Sequence, residues 1–156
     1  MTAAVRRFAT ILGMLFLAIF AQLPSHASSA GFVLSAQNIE LGAPEDAVEN
    51  NQAQPPRYAT KIEQGQTFTL LAQGRAYARG GKAEGSPMAP DSARWRFDDE
   101  DFKLIAHDAK EFDASISALR LQAQTIGRTR IRFSGTVLGY KRSFDIVVDI
   151  IAPKPE

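Results

Sequence analysis

The chain contains no cysteine, so a disulfide framework, a thiolate zinc site, an iron–sulfur cluster and a cysteine nucleophile are all excluded. Histidine is nearly as scarce, with His26 near the start and His107 as the only imidazole in the rest of the chain. His107 sits beside Asp108, which reads as a solvated strand-end pair rather than a general base. No G-x-S-x-G turn accompanies it, so no nucleophilic triad is spelled out and an enzymatic activity is not expected. A charge excess is missing too: 18 Lys+Arg stand against 17 Asp+Glu. With no aromatic platforms between its arginines, the chain does not read as a nucleic-acid binder. The sequence calls for no cofactor.

Long apolar runs are limited to one, Ala9 to Ala21, whose 13 residues fall short of the roughly 20 needed to span a bilayer as a helix. Arg6 and Arg7 precede it, and Pro24 and the small-x-small sequence Ser25-His26-Ala27 follow. That is the pattern of a cleaved Sec signal peptide over residues 1–27; the flanks of the paired arginines match the twin-arginine route poorly. The expected mature domain, 28–156, carries 16 basic and 17 acidic residues, a net charge of about −1. It is long enough to bury its own core without disulfides. An exported, cysteine-free chain lacking any Asn-x-Ser/Thr acceptor points to a bacterial periplasmic or secreted protein, with no membrane span left after cleavage.

What the mature chain does have is hydrophobic periodicity close to two, the signature of strands. Gly31 to Ala36 and Asn38 to Leu41 read as two short strands, followed by a proline-bearing loop from Gly42 to Arg57. Gln66 to Gln73 alternates Phe68 and Leu70 against Thr67 and Thr69, opening after the turn Glu63-Gln64-Gly65. Ala93 to Asp98 alternates Trp95 and Phe97 against Arg94 and Arg96. Phe102 to Ala106 is a further strand, and Phe112 to Gln124 another, although Lys110 to Leu119 leaves a helical turn open. Ile126-Gly127 turns into Thr129 to Ser134, with Ile131 and Phe133 on one side. In Ser143 to Ile151, Phe144, Ile146, Val148 and Ile150 share a face opposite Asp145 and Asp149. About seven short strands with near-regular turn signals predict an all-β, two-sheet antiparallel sandwich, an up-and-down barrel being the alternative.

With Trp95 on a mid-chain strand, the strand–Gly turn–strand unit of Leu119 to Phe133 and the closing SFDIVVDI, the chain resembles a bacterial immunoglobulin-like domain over residues 60–151. It is also similar in size and final hairpin to the chagasin-like cysteine-protease inhibitors, which implies a protease-inhibitor alternative. That family's diagnostic loops differ: Gly85 to Ser92 stands where it has Asn-Pro-Thr-Thr-Gly-Tyr, and Gly139 to Arg142 where it has Arg-Pro-Trp. No inhibitory residue carries over.

Three groups of residues are candidates for binding. Gly74 to Ser92 reads as a long glycine-rich loop carrying Arg75, Tyr77, Arg79, Lys82 and Met88, longer than most connections in compact domains. Gly135 to Arg142 reads as a final loop with apolar Val137, Leu138 and Tyr140. In an immunoglobulin-like topology these two lie at one end and form a tip able to hold a protein or peptide partner of the cell envelope. The second group is Arg94, Arg96, Arg130 and Arg132, which period two and strand adjacency place on one outer sheet face. They suit an anion or an acidic glycan, the structural alternative being compensation by Asp145 and Asp149. The third is Asp98-Asp99-Glu100-Asp101, consecutive carboxylates whose spacing departs from the calcium loop pattern; they read as a solvated acidic turn, and no metal is expected.

Overall fold

The computed structural model describes residues 27–45, 48–49, 52–53, 55–79, 84–108 and 111–155. The predicted signal peptide lies, but for Ala27, outside the described residues, as does Lys82. Eleven strands follow in order: β1 Ala27–Gln37, β2 Val48–Glu49, β3 Gln52–Ala53, β4 Arg57–Glu63, β5 Thr67–Ala78, β6 Ser86–Pro87, β7 Ser92–Arg96, β8 Phe102–His107, β9 Ile116–Ala123, β10 Gly127–Val137 and β11 Tyr140–Ile151. One sheet runs β1-β5-β9-β8, with the short β6 added to β5; the other runs β4-β11-β10-β7; β2 and β3 pair by themselves. Two separate sheets exclude the barrel alternative. The order is that of the immunoglobulin sandwich, whose first, second, fifth and fourth strands form one sheet and whose third, sixth and seventh form the other.

The alternation that makes these strands also divides their faces. Phe68, Leu70 and Ala72 of β5, Leu119 and Leu121 of β9, Ile131 and Phe133 of β10, and Ile146, Val148 and Ile150 of β11 are all buried between the sheets. Phe133 is the hub, its ring 4.8 Å from Phe32, 4.8 Å from Trp95 and 5.7 Å from Phe144. These four aromatics come from strands of both sheets, so packed rings join the layers where the chain has no disulfide to do so.

Several expectations are corrected. The sandwich is not wholly antiparallel, because β4 pairs with β11 in parallel. β4 itself was not anticipated: Tyr58, Thr60 and Ile62 turn inward, but only Ile62 is strongly apolar, and two prolines precede the segment. Of the two short strands expected near the start, Gly31 to Ala36 lies within β1, Ala27–Gln37, whereas Asn38 to Leu41 forms no strand, because the chain leaves the sheet at Asn38, φ 68°. Asparagine tolerates that left-handed conformation better than most residues, and it turns the chain out of the sheet. Among the described residues no helical turn forms before β9; turns and bends lead into it from Glu111.

The largest corrections concern the two expected loops. Gly74 to Ala78 continues β5, paired with β1 along its full length, and Ser86–Pro87 folds back on it as β6. The expected loop of 135–142 shrinks to a two-residue turn, because β10 extends to Val137 and β11 starts at Tyr140, opposite it in the ladder. Leu138 and Gly139 both have positive φ, 49° and 78°, the requirement of the type I′ hairpin turn. Glycine content misled at Gly74, where a Cβ would stand 2.2 Å from the Met88 carbonyl oxygen. Gly74 is there so that the returning chain can cross closely over β5 from one sheet to the other.

Candidate functional site

The register of the second sheet decides which side chains meet on its outer face. Arg132 lies opposite Asp145 of β11 on one side and Arg96 of β7 on the other, and Asp145 in turn lies opposite Arg57 of β4. One row toward the hairpin turn, Ser134 faces Ser143 and Arg94; one row further, Thr136 faces Lys141 and Ser92. In the opposite direction Arg130 faces Val147, and Arg128 and Lys61 flank Asp149. Five successive rows thus carry at least one cation each, about 7 Å apart along the strands. The expected set of Arg94, Arg96, Arg130 and Arg132 is together on one face, enlarged by Arg57, Lys61, Arg128 and Lys141.

Two acids stand among these eight cations. Asp145 is buried, at 4% exposure, and both its oxygens accept hydrogen bonds from Arg132, at 2.7 Å from Nε and 2.9 Å from Nη2. Arg130 approaches the same carboxylate at 3.6 Å. The Arg132 hydrogen bond holds the Asp145 carboxyl below the usual aspartate range, burial opposes it, and the charges of Arg132, Arg130 and Arg57 add to the lowering. Asp149 makes a looser pair with Arg128 at 3.8 Å. Compensation by Asp145 and Asp149 therefore holds for one half of the face. Arg94 and Arg96 make no ion pair or side-chain hydrogen bond among the described residues.

The face is also sharply set off from the rest of the molecule. Its five rows take eight of the 18 basic and two of the 17 acidic residues, leaving ten basic against fifteen acidic elsewhere in the chain; Glu63, opposite Ile151 in the next row, is a third acid at the end of the face. Beside Arg94 the face sinks into an open hollow of about 880 Å³, within the size range of small-molecule sites. Arg94, Arg96, Lys141 and Arg142 contribute to its lining, Pro55 and Pro56 contribute as well, and among the described residues no acidic one does. The short side chains of Ser134, Ser143, Thr136 and Ser92 lie along it.

The sequence reading missed Arg57, Lys61, Arg128 and Lys141. The alternation of Arg57, Ala59 and Lys61 against Tyr58, Thr60 and Ile62 was the available signal for the first two. Lys141 becomes visible only once the hairpin turn is placed at Leu138-Gly139, since that fixes its pairing with Thr136.

The two candidate binding segments meet at one end of the sandwich. A Cβ on Gly74 would stand 3.6 Å from Val137, and the Gly139 N–H donates to Asp91 Oδ2 at 3.0 Å. Arg75 braces the strand and its return: Nε and Nη2 donate to Gln73 Oε1 and Nη1 to the Glu84 carbonyl at 2.9 Å. Tyr77 packs on Gly85. Met88 is packed against the core, whereas Arg79 is exposed. Leu138 and Tyr140 are exposed large side chains at the turn, and the Arg142 guanidinium lies 5.9 Å from the centre of the Tyr140 ring.

His107 Nδ1 stands 2.8 Å from Asp108 Oδ2, and Asp108 Oδ1 accepts from the buried Ser117 hydroxyl at 3.0 Å. The carboxylate is thus between serine and histidine, so the imidazole is not placed to take the hydroxyl proton as a triad requires. Ser117 also accepts from the Trp95 indole N–H at 3.1 Å, which ties the exposed Asp108 carboxylate to the core. In the acidic turn, Asp98 Oδ1 accepts from the Glu100 N–H at 2.9 Å. Among the described residues no group of three metal-ligating side chains gathers, and no helix is long and apolar enough to cross a membrane.

No family model matches the chain, and comparison with curated proteins finds no match. Among solved structures, it is similar to domains 4 and 5 of the S-layer protein SbsC, at 12% identity and a TM-score of 0.41, covering 74% of this chain and 54% of that one. The chain thus spans about half of that two-domain fragment. A chimeric titin Z1Z2 structure is similar at 14% identity and a TM-score of 0.40, with 75% of this chain and all of that one covered. The tandem Ig repeats of Dlar follow at 16% identity and a TM-score of 0.39, covering 72% and 50%.

Proposed function

We propose that this protein is an exported, non-catalytic binding module that holds an anionic partner on the outer face of its β4-β11-β10-β7 sheet. The observation that carries this is the five-row array of eight cations against two acids, on a chain whose remaining charges are predominantly acidic. Such sidedness attracts and orients a polyanion even when net charge is near zero. The sequence of residues 1–27 supports delivery outside the cytoplasm, and a secreted form whose mass corresponds to a start at Ser28 is the expected product.

Dextran sulfate, with neutral dextran as control, tests the reading by calorimetry at low and at physiological ionic strength. The informative variant is Arg94→Glu with Arg96→Glu, since neither arginine supports a neighbour in the fold. Each reversal removes an exposed attraction of a few tenths to about 1 kcal/mol and installs a repulsion of similar size. Together they weaken binding at least about tenfold. Lys103→Glu with Arg79→Glu makes the same change in net charge away from the face and leaves affinity intact. Equal losses in the two double variants would overturn the assignment to this face.

A second reading, a protein or peptide partner at the tip, is favoured by one observation. Leu138 is 43% exposed yet occupies a left-handed position, where asparagine would turn more easily. A strained, exposed apolar residue is a frequent mark of a contact site. Leu138→Asn is expected to raise stability by about 0.5–1 kcal/mol in urea unfolding while abolishing capture of an envelope protein. Retained capture by the variant would remove the tip from consideration.

A further inference from the structure

We infer that the hollow beside β7 is a subsite for a carboxylated sugar unit, and that the ligand of the basic face is an acidic polysaccharide lying along β10. This rests on the anion-binding reading and names the ligand class for it. The hollow combines two chemistries that a polyanion alone would not require. Arg94, Arg96 and Lys141 bring cations to it, and guanidinium groups pair bidentately with planar carboxylates. Ser134, Ser143, Thr136 and Ser92 bring hydroxyls, each both donor and acceptor. None of these four side chains hydrogen-bonds to another described residue, so their capacity faces outward. Alternating donors and acceptors beside a cation cluster are the complement of a sugar ring bearing hydroxyls and a carboxylate. Pro55 and Pro56 supply an apolar border for the ring's C–H groups.

The rest of the face continues the same track. From the hollow, Arg132, Arg130 and Arg128 follow at every second residue of β10, about 7 Å apart. Successive charged units of a chain laid along the strand therefore meet successive arginines. Arg132 and Arg130 are steadied for this by Asp145, which fixes them from beneath without neutralising the row, since Arg57 and Arg96 flank the same carboxylate pair. The outward positions of the four strands carry no aromatic residue, so the base stacking on which single-stranded nucleic-acid binding relies has no platform here. The outward positions likewise offer only Val147 and, at the far end of β11, Ile151 as larger apolar groups, too little for insertion into a lipid surface.

Oligogalacturonate, dextran sulfate and polyphosphate distinguish the possibilities, measured by calorimetry on the mature chain. Ser134→Ala with Ser143→Ala removes two floor hydroxyls at solvent-facing positions and leaves the thermal midpoint unchanged, which is checked first. The expected result is a loss of about fivefold or more in oligogalacturonate affinity, with polyphosphate affinity unaltered. If the alanine variant binds oligogalacturonate as the parent does, or if polyphosphate is bound as tightly as the sugar polymer, the saccharide subsite is overturned while the anion-binding face stands. If Arg94→Glu with Arg96→Glu changes the affinity of none of the three polymers, the face itself is overturned, and the subsite with it.

Discussion

Replacing Trp95 by alanine is expected to lower the unfolding free energy by about 3–5 kcal/mol, a large part of the 5–15 kcal/mol by which domains of this size are stable. The indole is 8% exposed, and it packs at 4.8 Å against the Phe133 ring on which Phe32 and Phe144 also converge. Its removal therefore leaves a cavity at the point where rings from both sheets meet. A second loss is polar: Ser117, itself 3% exposed, no longer receives the indole N–H while still donating to Asp108. Trp95→Phe keeps most of the volume and loses only the hydrogen bond and part of the contact, so it is expected to cost about 1–2 kcal/mol. Urea unfolding followed by circular dichroism measures both. Trp95 is the only tryptophan, so its emission in the parent protein reports directly on this site. An emission maximum typical of water-exposed indole, or a Trp95→Ala variant as stable as the parent, would be incompatible with this packing.

The second large effect is at Asp145, and it depends on pH. Asp145→Asn is expected to cost about 2–3 kcal/mol at neutral pH, because a buried carboxylate receiving two charge-assisted hydrogen bonds is replaced by an amide that cannot accept both. The cost stays below that of a fully buried pair because Arg132 is 45% exposed and water can solvate it once it is freed. The sign of the pH dependence follows from the lowered carboxyl. The folded form releases the proton more readily than the unfolded chain, so the stabilisation is fully present above the unfolded aspartate value near 4 and is lost as pH falls through the lower folded value. Unfolding curves of parent and variant should therefore differ most at neutral pH and converge in acid. Asp113, held low by its hydrogen bonds from Ser115, remains in both proteins and cancels in the comparison. A stability difference that stays constant from neutral pH into acid would rule out the ion pair as its source.

Local alternation was legible wherever one face of a strand is buried and the other is wet. Ser143 to Ile151 and Thr129 to Ser134 read correctly because a shift of one residue would expose Phe144, Ile146, Ile131 and Phe133 together. Trp95 was placed inward on the same grounds. β4 escaped because burial of Tyr58 and Thr60 is a property of where β11 runs, not of their own hydropathy. The segment from Gly74 to Ser92 was misread because glycine and arginine are loop signals when taken alone. Here Gly74 admits the Met88 carbonyl and Arg75 ties down the returning chain, and both roles depend on residues more than eight positions away.

The binding face was half visible for the same reason. Parity placed Arg94, Arg96, Arg130 and Arg132 outward, and it placed Asp145 and Asp149 outward on the last strand. Which arginine meets which aspartate is a matter of register between strands. Register gives Asp145 to Arg132 and Arg130, and it leaves Arg94 and Arg96 at the edge of the sheet beside a row of serines. The sequence by itself determined the all-β class and, in strands such as β7, β10 and β11, the inward or outward sense of the side chains, because these follow from a period-two pattern within a single strand. The tertiary structure alone decided the parallel pairing of β4, the extension of β5 into the first expected loop, the reduction of the second to a two-residue turn, and the hollow between Pro55 and Arg94, because each of these is set by contacts between segments distant in the chain.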